Sequence, residues 1–186
     1  MTETQRRVVD AFSEMIDEMR YGKITVNELC RRAGVSRNAF YANFDDKEDV
    51  VTFIFKRDIT QPIQDLNRLL TNSDLDPMME LINERMYERL AGNGDFYRSL
   101  VGPMRGRDDT FLRVVTHVIY DMNMELLPSV STMKDSLKID YVAYFFASSQ
   151  AMLMQKWISD GFPLTPHDLS ELYSSMTASF WRSIRQ

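Results

Sequence analysis

Cysteine is almost missing from this chain of 186 residues, with Cys30 as its one representative. A lone thiol makes no internal disulfide, so the fold rests on packing, and the composition suits a reducing compartment. Histidine is nearly as scarce. His117 and His167 are the two present, and neither stands in a zinc-ligand or nucleophile pattern. The seven glycines include no phosphate-cradling loop after a strand. No β-like alternation persists, and no repeat or low-complexity segment appears. The longest stretch without charge, Tyr141 to Gln155, has fifteen residues, short of the roughly 20 that cross a bilayer. No basic segment followed by an apolar core opens the chain. These absences predict a cytoplasmic location and no membrane partner. They also argue against an enzyme, a bound cofactor or a metal.

What is present is helical. The stretch Ile24 to Lys47 reads as two short helices around a tight turn at Gly34-Val35. Thr25-x-x-Glu28 has the spacing of a capping box, in which each side chain satisfies a free amide at the helix start. Ser36 is a good cap for the second helix, and Gly34 can enter the left-handed region where the chain leaves the first. On a helical wheel from Ser36, Phe40 and Phe44 share an inward face. Asn38, Ala39 and Ala42 point the other way, Tyr41 and Asn43 flank them, and Arg37 lies at the N-terminal end. Small residues beside Arg, Asn and Tyr permit close approach to base edges, since Arg suits guanine and Asn adenine. Two capped helices joined this closely can form a helix-turn-helix, whose second helix enters a DNA major groove. On spacing alone, an ordinary helical hairpin whose polar face meets only water is an equal reading.

Charge runs against the global value here. The net charge is −5 and the pI is near 5.1. Between positions 20 and 41, however, Arg20, Lys23, Arg31, Arg32 and Arg37 stand against Glu28 alone. Screening makes the local sign the one a phosphate feels.

The run Thr25-x-x-Glu28-Leu29, Ala33-Gly34-Val35-Ser36, then Phe40-Tyr41-x-x-Phe44-x-x-Lys47-Glu48, resembles the N-terminal domain of TetR-family transcriptional regulators. The likeness covers most of the first 60 residues without a gap. It implies a dimeric, all-α bacterial regulator with Ser36 to Phe44 as recognition helix. By matching position, Thr25, Tyr41 and Lys47 would hold phosphates, and Asn27, Arg37, Asn38, Ala39 and Asn43 would face bases. Asn38 stands where the family more often has a small residue or proline, and Asn43 where it has an aromatic or histidine. The operator sequence therefore does not follow from the resemblance.

Further helices support this pair. Val8 or Val9, Phe12, Ile16 and Met19 recur at helical spacing from Glu3 to Arg20, before Tyr21-Gly22-Lys23. Asp46 caps a fourth helix carrying Val50, Val51, Ile54 and Phe55, with Glu48 and Asp49 favourable in its first turn. Lys47 opposes the helix dipole there, which a phosphate partner would explain. Pro62 should kink or restart this helix, making the segment to Leu70 a joint. The predicted division is a three-helix helix-turn-helix DNA-binding domain at 1–60 and an effector-binding and dimerisation domain at 61–186, with about nine helices in all.

In the second part, helices are predicted at Pro77 to Ala91, Asp95 to Val101 and Asp109 to Leu127, the last stopping before Pro128. The Tyr141 to Gln155 stretch reads as a helix buried on most sides, and Thr165-Pro166 opens a last helix. Phe145, Ala147, Ser148, Leu169, Leu172, Met176 and Phe180 are the expected dimer interface, since two apolar helices and their symmetry mates make a four-helix bundle. Phe96-Tyr97-x-x-Leu100, the near-neutral helix and Trp157-Ile158-x-x-Gly161-Phe162-Pro163 resemble, more loosely, the dihydroxyacetone-kinase-regulator-like branch of the same family. That branch's usual glycines appear here as Ala147 and Ser148 or Ser149.

Thirteen methionines offer adaptable apolar surface. Tyr97, Met104, Phe111, Tyr120, Tyr144 and Met152 are the candidates for a pocket holding a small apolar or amphipathic ligand, against the alternative that they fill a helical core. Cys30 reads as a packing residue rather than a redox sensor. The functional expectation is a homodimeric repressor released from a pseudo-palindromic operator by a small molecule. An activator, or a helical adaptor that binds protein, remains open at this point.

Overall fold

The computed structural model describes residues 1–64, 75–101 and 109–184. Its described residues form nine α-helices and no strand: α1 Glu3–Glu18, α2 Val26–Ala33, α3 Arg37–Tyr41, α4 Lys47–Phe55, α5 Leu75–Gly92, α6 Gly94–Leu100, α7 Thr110–Val130, α8 Ser136–Ser159 and α9 Pro166–Ser183. The all-α expectation holds. Residues 102–108, and residues 65–70 of the segment to Leu70 expected to act as a joint, lie outside the described residues.

Helix starts are set by local chemistry. Thr2 and Gln5 cap α1 reciprocally, at 3.1 and 2.8 Å. Asp46 accepts the amides of Glu48 and Asp49 at 2.7 and 2.8 Å, and Thr165 pairs with Asp168 around Pro166 at the head of α9. Each such cap is worth about 1 kcal/mol. The box expected at Thr25 forms only by half. Thr25 accepts the Glu28 amide at 3.2 Å, but the Glu28 carboxylate turns to the Arg31 guanidinium at 2.5 and 3.0 Å. A two-pronged ionic contact outcompetes one neutral amide.

One core cluster runs from Val8 on α1 to Leu169 on α9, crossing the predicted boundary near residue 60. Ring contacts carry it across. Phe12 meets Phe96 at 6.3 Å, and Phe55 meets Tyr97 at 6.3 Å. A second cluster closes the far end, where Phe146 stacks on Trp181 at 4.9 Å and Ile139, Tyr173 and Ile184 pack around them. Helices α7 and α8 form an antiparallel pair across the short turn 131–135. Helix α9 lies on α5, and Ser170 donates to the Glu80 carbonyl at 2.7 Å.

Prolines act at unexpected places. Helix α4 continues through a π-helical turn, Lys56–Thr60, into helical residues 61–64. The Gln61 amide bonds the Lys56 carbonyl, five residues back. Pro62 has no N–H to reach the Asp58 carbonyl, and the Arg89 guanidinium on α5 donates to that carbonyl instead, at 3.2 Å. The helix therefore continues through Pro62 rather than restarting. Pro128 lies inside α7 and does not end it, because Leu127 is buried and its carbonyl still receives the Ser131 amide at 3.0 Å.

Helix α8 departs from the expected burial. Ala143, Ala147, Ala151, Met154 and Ile158 make one buried stripe, while Tyr141, Tyr144, Phe145 and Met152 on the other side are 58 to 70% exposed. Both faces are apolar, and only one is covered within the protomer.

Candidate nucleic-acid interface

Gly34 makes the turn between α2 and α3 with φ of +61°. A Cβ there would also collide with the Arg7 guanidinium, which donates to the Gly34 carbonyl at 2.9 Å. Glycine is favoured here by backbone conformation, and a side chain would also displace the Arg7 brace from α1. Ser36 accepts the Ala39 amide at 3.1 Å and starts α3, a helix of five residues. Phe40 and Phe44 are buried beneath it, and their rings lie 5.7 Å apart. This anchors α3 by one face and leaves the other outward.

On that outward side, Thr25, Asn27, Arg37, Asn38 and Tyr41 are exposed and Ala39 is half-buried. Tyr41 is 48% exposed, with the Arg37 guanidinium 5.8 Å from its ring centre. Six of the eight residues anticipated for DNA thus keep solvent-accessible side chains at the head of α2 and along α3.

Two are half-buried and make hydrogen bonds within the protomer. Asn43 donates to the Ala39 carbonyl at 2.8 Å and accepts from the Thr2 hydroxyl at 3.2 Å. It ties the end of α3 to the start of α1 rather than facing outward. The Lys47 ammonium donates to the carbonyls of Tyr21 and Ile24 at 2.9 and 3.0 Å, and lies 4.1 Å from the centre of the Tyr21 ring. Carbonyls and a π-face accept this cation, so its place at a helix start needs no phosphate to explain it.

The basic patch is also partly spent within the fold. Arg31 pairs with Glu28, and Arg32 with Glu18 at 2.7 Å. The hydrogen bond to Arg32 holds the Glu18 carboxyl below its ordinary value. Arg20, Lys23 and Arg37 form no ion pair among the described residues and are exposed. Cys30 is buried, and burial pushes its thiol upward, away from the reactive thiolate.

Arg113 on α7 reaches the first turn of α4. It grips Glu48 with two bonds of 2.6 and 3.1 Å and also contacts Thr110 and Asp109. Lys56 and Asp121 approach to 3.8 Å along the same seam. Neither link was anticipated, because both partners are far apart in sequence.

The candidates for the pocket do not converge. Tyr97 and Phe111 are core residues, 1 and 2% exposed, and burial pushes the Tyr97 hydroxyl far upward. Met104 lies outside the described residues. Tyr120, Tyr144 and Met152 line an open groove of about 730 Å³ between α7 and α8, where the Tyr120 hydroxyl donates to Asp140 at 2.5 Å. A separate cavity of about 360 Å³, below residues 61–64 and between α5, α7 and α8, contains none of them. Its polar walls are Asn83, Asn123 and Gln150. In sequence, Gln150 interrupts the uncharged Tyr141 to Gln155 stretch with a polar side chain.

Of the residues expected between protomers, Phe145, Leu172 and Met176 are 63, 43 and 60% exposed. Ser148 and Phe180 are half-buried. Ala147 and Leu169 are 0 and 1% exposed, packed inside the protomer, so they are not available to a partner. Among the described residues, no helix is long and apolar enough to cross a membrane, and no His, Cys, Asp or Glu cluster has the arrangement to hold a metal.

A short capped helix held by two phenylalanines, presenting Arg, Asn and Tyr beside the capped end of its predecessor, defines a helix-turn-helix protein of the transcription-regulator class. Residues 9–52 match the bacterial regulatory proteins of the tetR family, and residues 79–179 match a transcriptional regulator C-terminal region of the same family. The chain belongs to the TetR family of bacterial transcriptional regulators, which is not a family of enzymes. It is 29% identical over 62 residues to the HTH-type dhaKLM operon transcriptional activator DhaS of Lactococcus lactis subsp. lactis; the match spans 33% of this chain and 33% of that relative. Among solved structures, a TetR-family regulator from Syntrophomonas wolfei is similar with a TM-score of 0.63 and 15% identity, over 97% of this chain and 95% of that one. The transcriptional regulator FadR from Bacillus subtilis, in complex with stearoyl-CoA, has a TM-score of 0.57 and 17% identity, over 94% and 97%. At these identities the structures speak for the fold.

Proposed function

We propose that the protein is a homodimeric, cytoplasmic repressor whose two α3 helices enter successive major grooves of a pseudo-palindromic operator, and that a small molecule bound in the 61–186 part releases it. The observation that supports this reading is the exposure of Thr25, Asn27, Arg37, Asn38 and Tyr41, with Ala39 half-buried, on two capped helices joined by the Gly34 turn. Thr25 and Tyr41 take phosphates, and Asn27, Arg37, Asn38 and Ala39 face base edges. Asn43 and Lys47 support the surface from behind. Residues 1–60 serve as the DNA-reading part. The exposed faces of α8 and α9, with Phe145, Leu172 and Met176, pair with their symmetry mates and set the spacing of the two α3 helices.

Release follows if the ligand favours a different spacing. The Glu48–Arg113 contact and the extension of α4 give the two parts a mechanical connection. Selection of bound sequences from a random DNA pool tests the proposal. A palindromic consensus whose half-sites lie about one helical turn apart, or a multiple of it, is expected. Binding should weaken about 10³-fold or more between about 50 and 200 mM salt if about six phosphates are neutralised. Enrichment of no sequence, with no salt dependence, would overturn it and favour a protein-binding adaptor.

A second reading, activation, has one specific support: the Lactococcus relative is named an activator. A reporter carrying the selected operator separates the two by the sign of its response.

A further inference from the structure

The cavity of about 360 Å³ is walled by apolar side chains of α5 and α7, among them three methionines, and is closed on one side by Ile63. Within it sits a pair of buried amides. Asn83 on α5 and Gln150 on α8 are 5 and 6% exposed, and Gln150 Nε2 donates to Asn83 Oδ1 at 2.7 Å. Each amide carries a second polar atom. Beyond this bond, Asn83 Nδ2 and Gln150 Oε1 are the remaining polar atoms of the pair, and both side chains line the cavity. If both amides are turned over, one donor and one acceptor still remain. Asn123 donates one N–H to the Ala143 carbonyl at 3.2 Å and keeps a second N–H and its carbonyl oxygen. The wholly buried Tyr87 hydroxyl lies beside Gln150.

Burying such groups costs free energy unless something pairs with them, and the groups are held in place by packed helices. Charge in the cavity is one-sided. Among the described lining residues there is no lysine, arginine or histidine, and Glu125 is the single ionisable group. An anion entering this space meets no counter-charge among the described lining residues.

We propose that this cavity binds an uncharged small molecule whose adjacent hydrogen-bond acceptor and donor, as in an amide, lactam or hydroxy-carbonyl group, pair with Asn83 and Gln150 while an apolar body packs against the methionines. This inference rests on the reading of the 61–186 part as the ligand-receiving part. A cavity of about 150 Å³ holds benzene, so this one holds a molecule of about fifteen non-hydrogen atoms. A phosphate-bearing acyl thioester, such as the stearoyl-CoA bound to the Bacillus FadR of similar fold, would meet no lysine, arginine or histidine among the described lining residues. The ligand also touches Ile63 and Gln64 at the end of the extended α4, the helix that begins beside the recognition surface.

Calorimetric titration of the full chain with octanamide, octanoate and stearoyl-CoA tests the assignment without any variant. Octanamide should bind at least about tenfold more tightly than octanoate, its charged isostere, and stearoyl-CoA should give no displacement of octanamide. Gln150→Leu and Asn83→Leu, checked for folding by circular dichroism, should each lose about tenfold for octanamide and little for octanoate. Octanoate binding as tightly as octanamide, displacement by stearoyl-CoA, no octanamide binding, or unchanged affinity in both folded variants would overturn the proposal. Operator affinity measured with and without octanamide separates the two levels. Binding without an effect on DNA defeats the release mechanism alone, whereas absent binding beside normal operator recognition defeats the cavity assignment alone.

Discussion

Replacing Lys47 with methionine keeps the length and apolar stem of the side chain and removes only the cation. The carbonyls of Tyr21 and Ile24 then lose donors at 2.9 and 3.0 Å, and the Tyr21 ring loses its contact at 4.1 Å. A hydrogen bond to a charged group contributes about 1.5–3 kcal/mol, and the cation on the ring about 0.5–1 kcal/mol. Lys47 is half-buried, so water replaces part of what is lost. Removing a positive charge from the head of α4 returns about 0.3–1 kcal/mol. The net expectation is a loss of about 2 kcal/mol, or a fall of roughly 4–8 °C in Tm for a chain of this size. Thermal unfolding followed by circular dichroism measures it. DNA binding gives the contrast. A lysine acting only as a phosphate contact would leave Tm unchanged on substitution and reduce the salt slope by about 1. An unaltered Tm with a shallower salt slope for Lys47→Met would refute the bracing role argued from these distances.

Gly34→Ala should cost about 1–3 kcal/mol, because it places a side chain in the left-handed region and displaces Arg7 from its carbonyl; chemical denaturation of the two proteins checks this. Tyr41→Ala should leave unfolding nearly unchanged but weaken binding to the selected operator, and equal affinity would remove Tyr41 from the contact surface. Cys30 should resist thiol reagents at neutral pH in the native protein and react readily in denaturant; rapid native labelling would contradict its burial. Phe145→Glu and Met176→Glu should each yield monomers in analytical ultracentrifugation, and a variant that stays dimeric would count against the α8 and α9 interface.

The parts of the fold that could be read from sequence are those decided within about four residues. Ser36, Asp46 and Thr165 cap as expected, Gly34 turns left-handed, and Phe40 and Phe44 share the buried side of α3. Glu28 shows where local reasoning stops. Its spacing to Thr25 suits a box, yet Arg31 lies at an equally good spacing and carries charge. Longer links were hidden. Asn43 meets Thr2, Lys47 meets Tyr21 and Ile24, and Gln150 meets Asn83, each across a separation that periodicity does not encode. Helix α8 misleads for a different reason. Apolar residues occur all round it, and composition alone cannot distinguish a face covered by its own chain from one left bare. Tyr97 and Phe111 illustrate the same limit, since an aromatic stripe is equally suited to filling a core or lining a hollow.

The π turn at Lys56–Thr60 spaces its hydrogen bonds by one residue more than the helices on either side. Since each residue of an α-helix advances about 100° around the axis, residues 61–64 are out of phase with α4 by about that angle. Ile63 and Gln64 line the cavity in this phase. Deleting one residue from the turn would leave the helix apparently intact while rotating a different side chain onto that wall, so the angular setting between α4 and the cavity is stored in a single surplus residue.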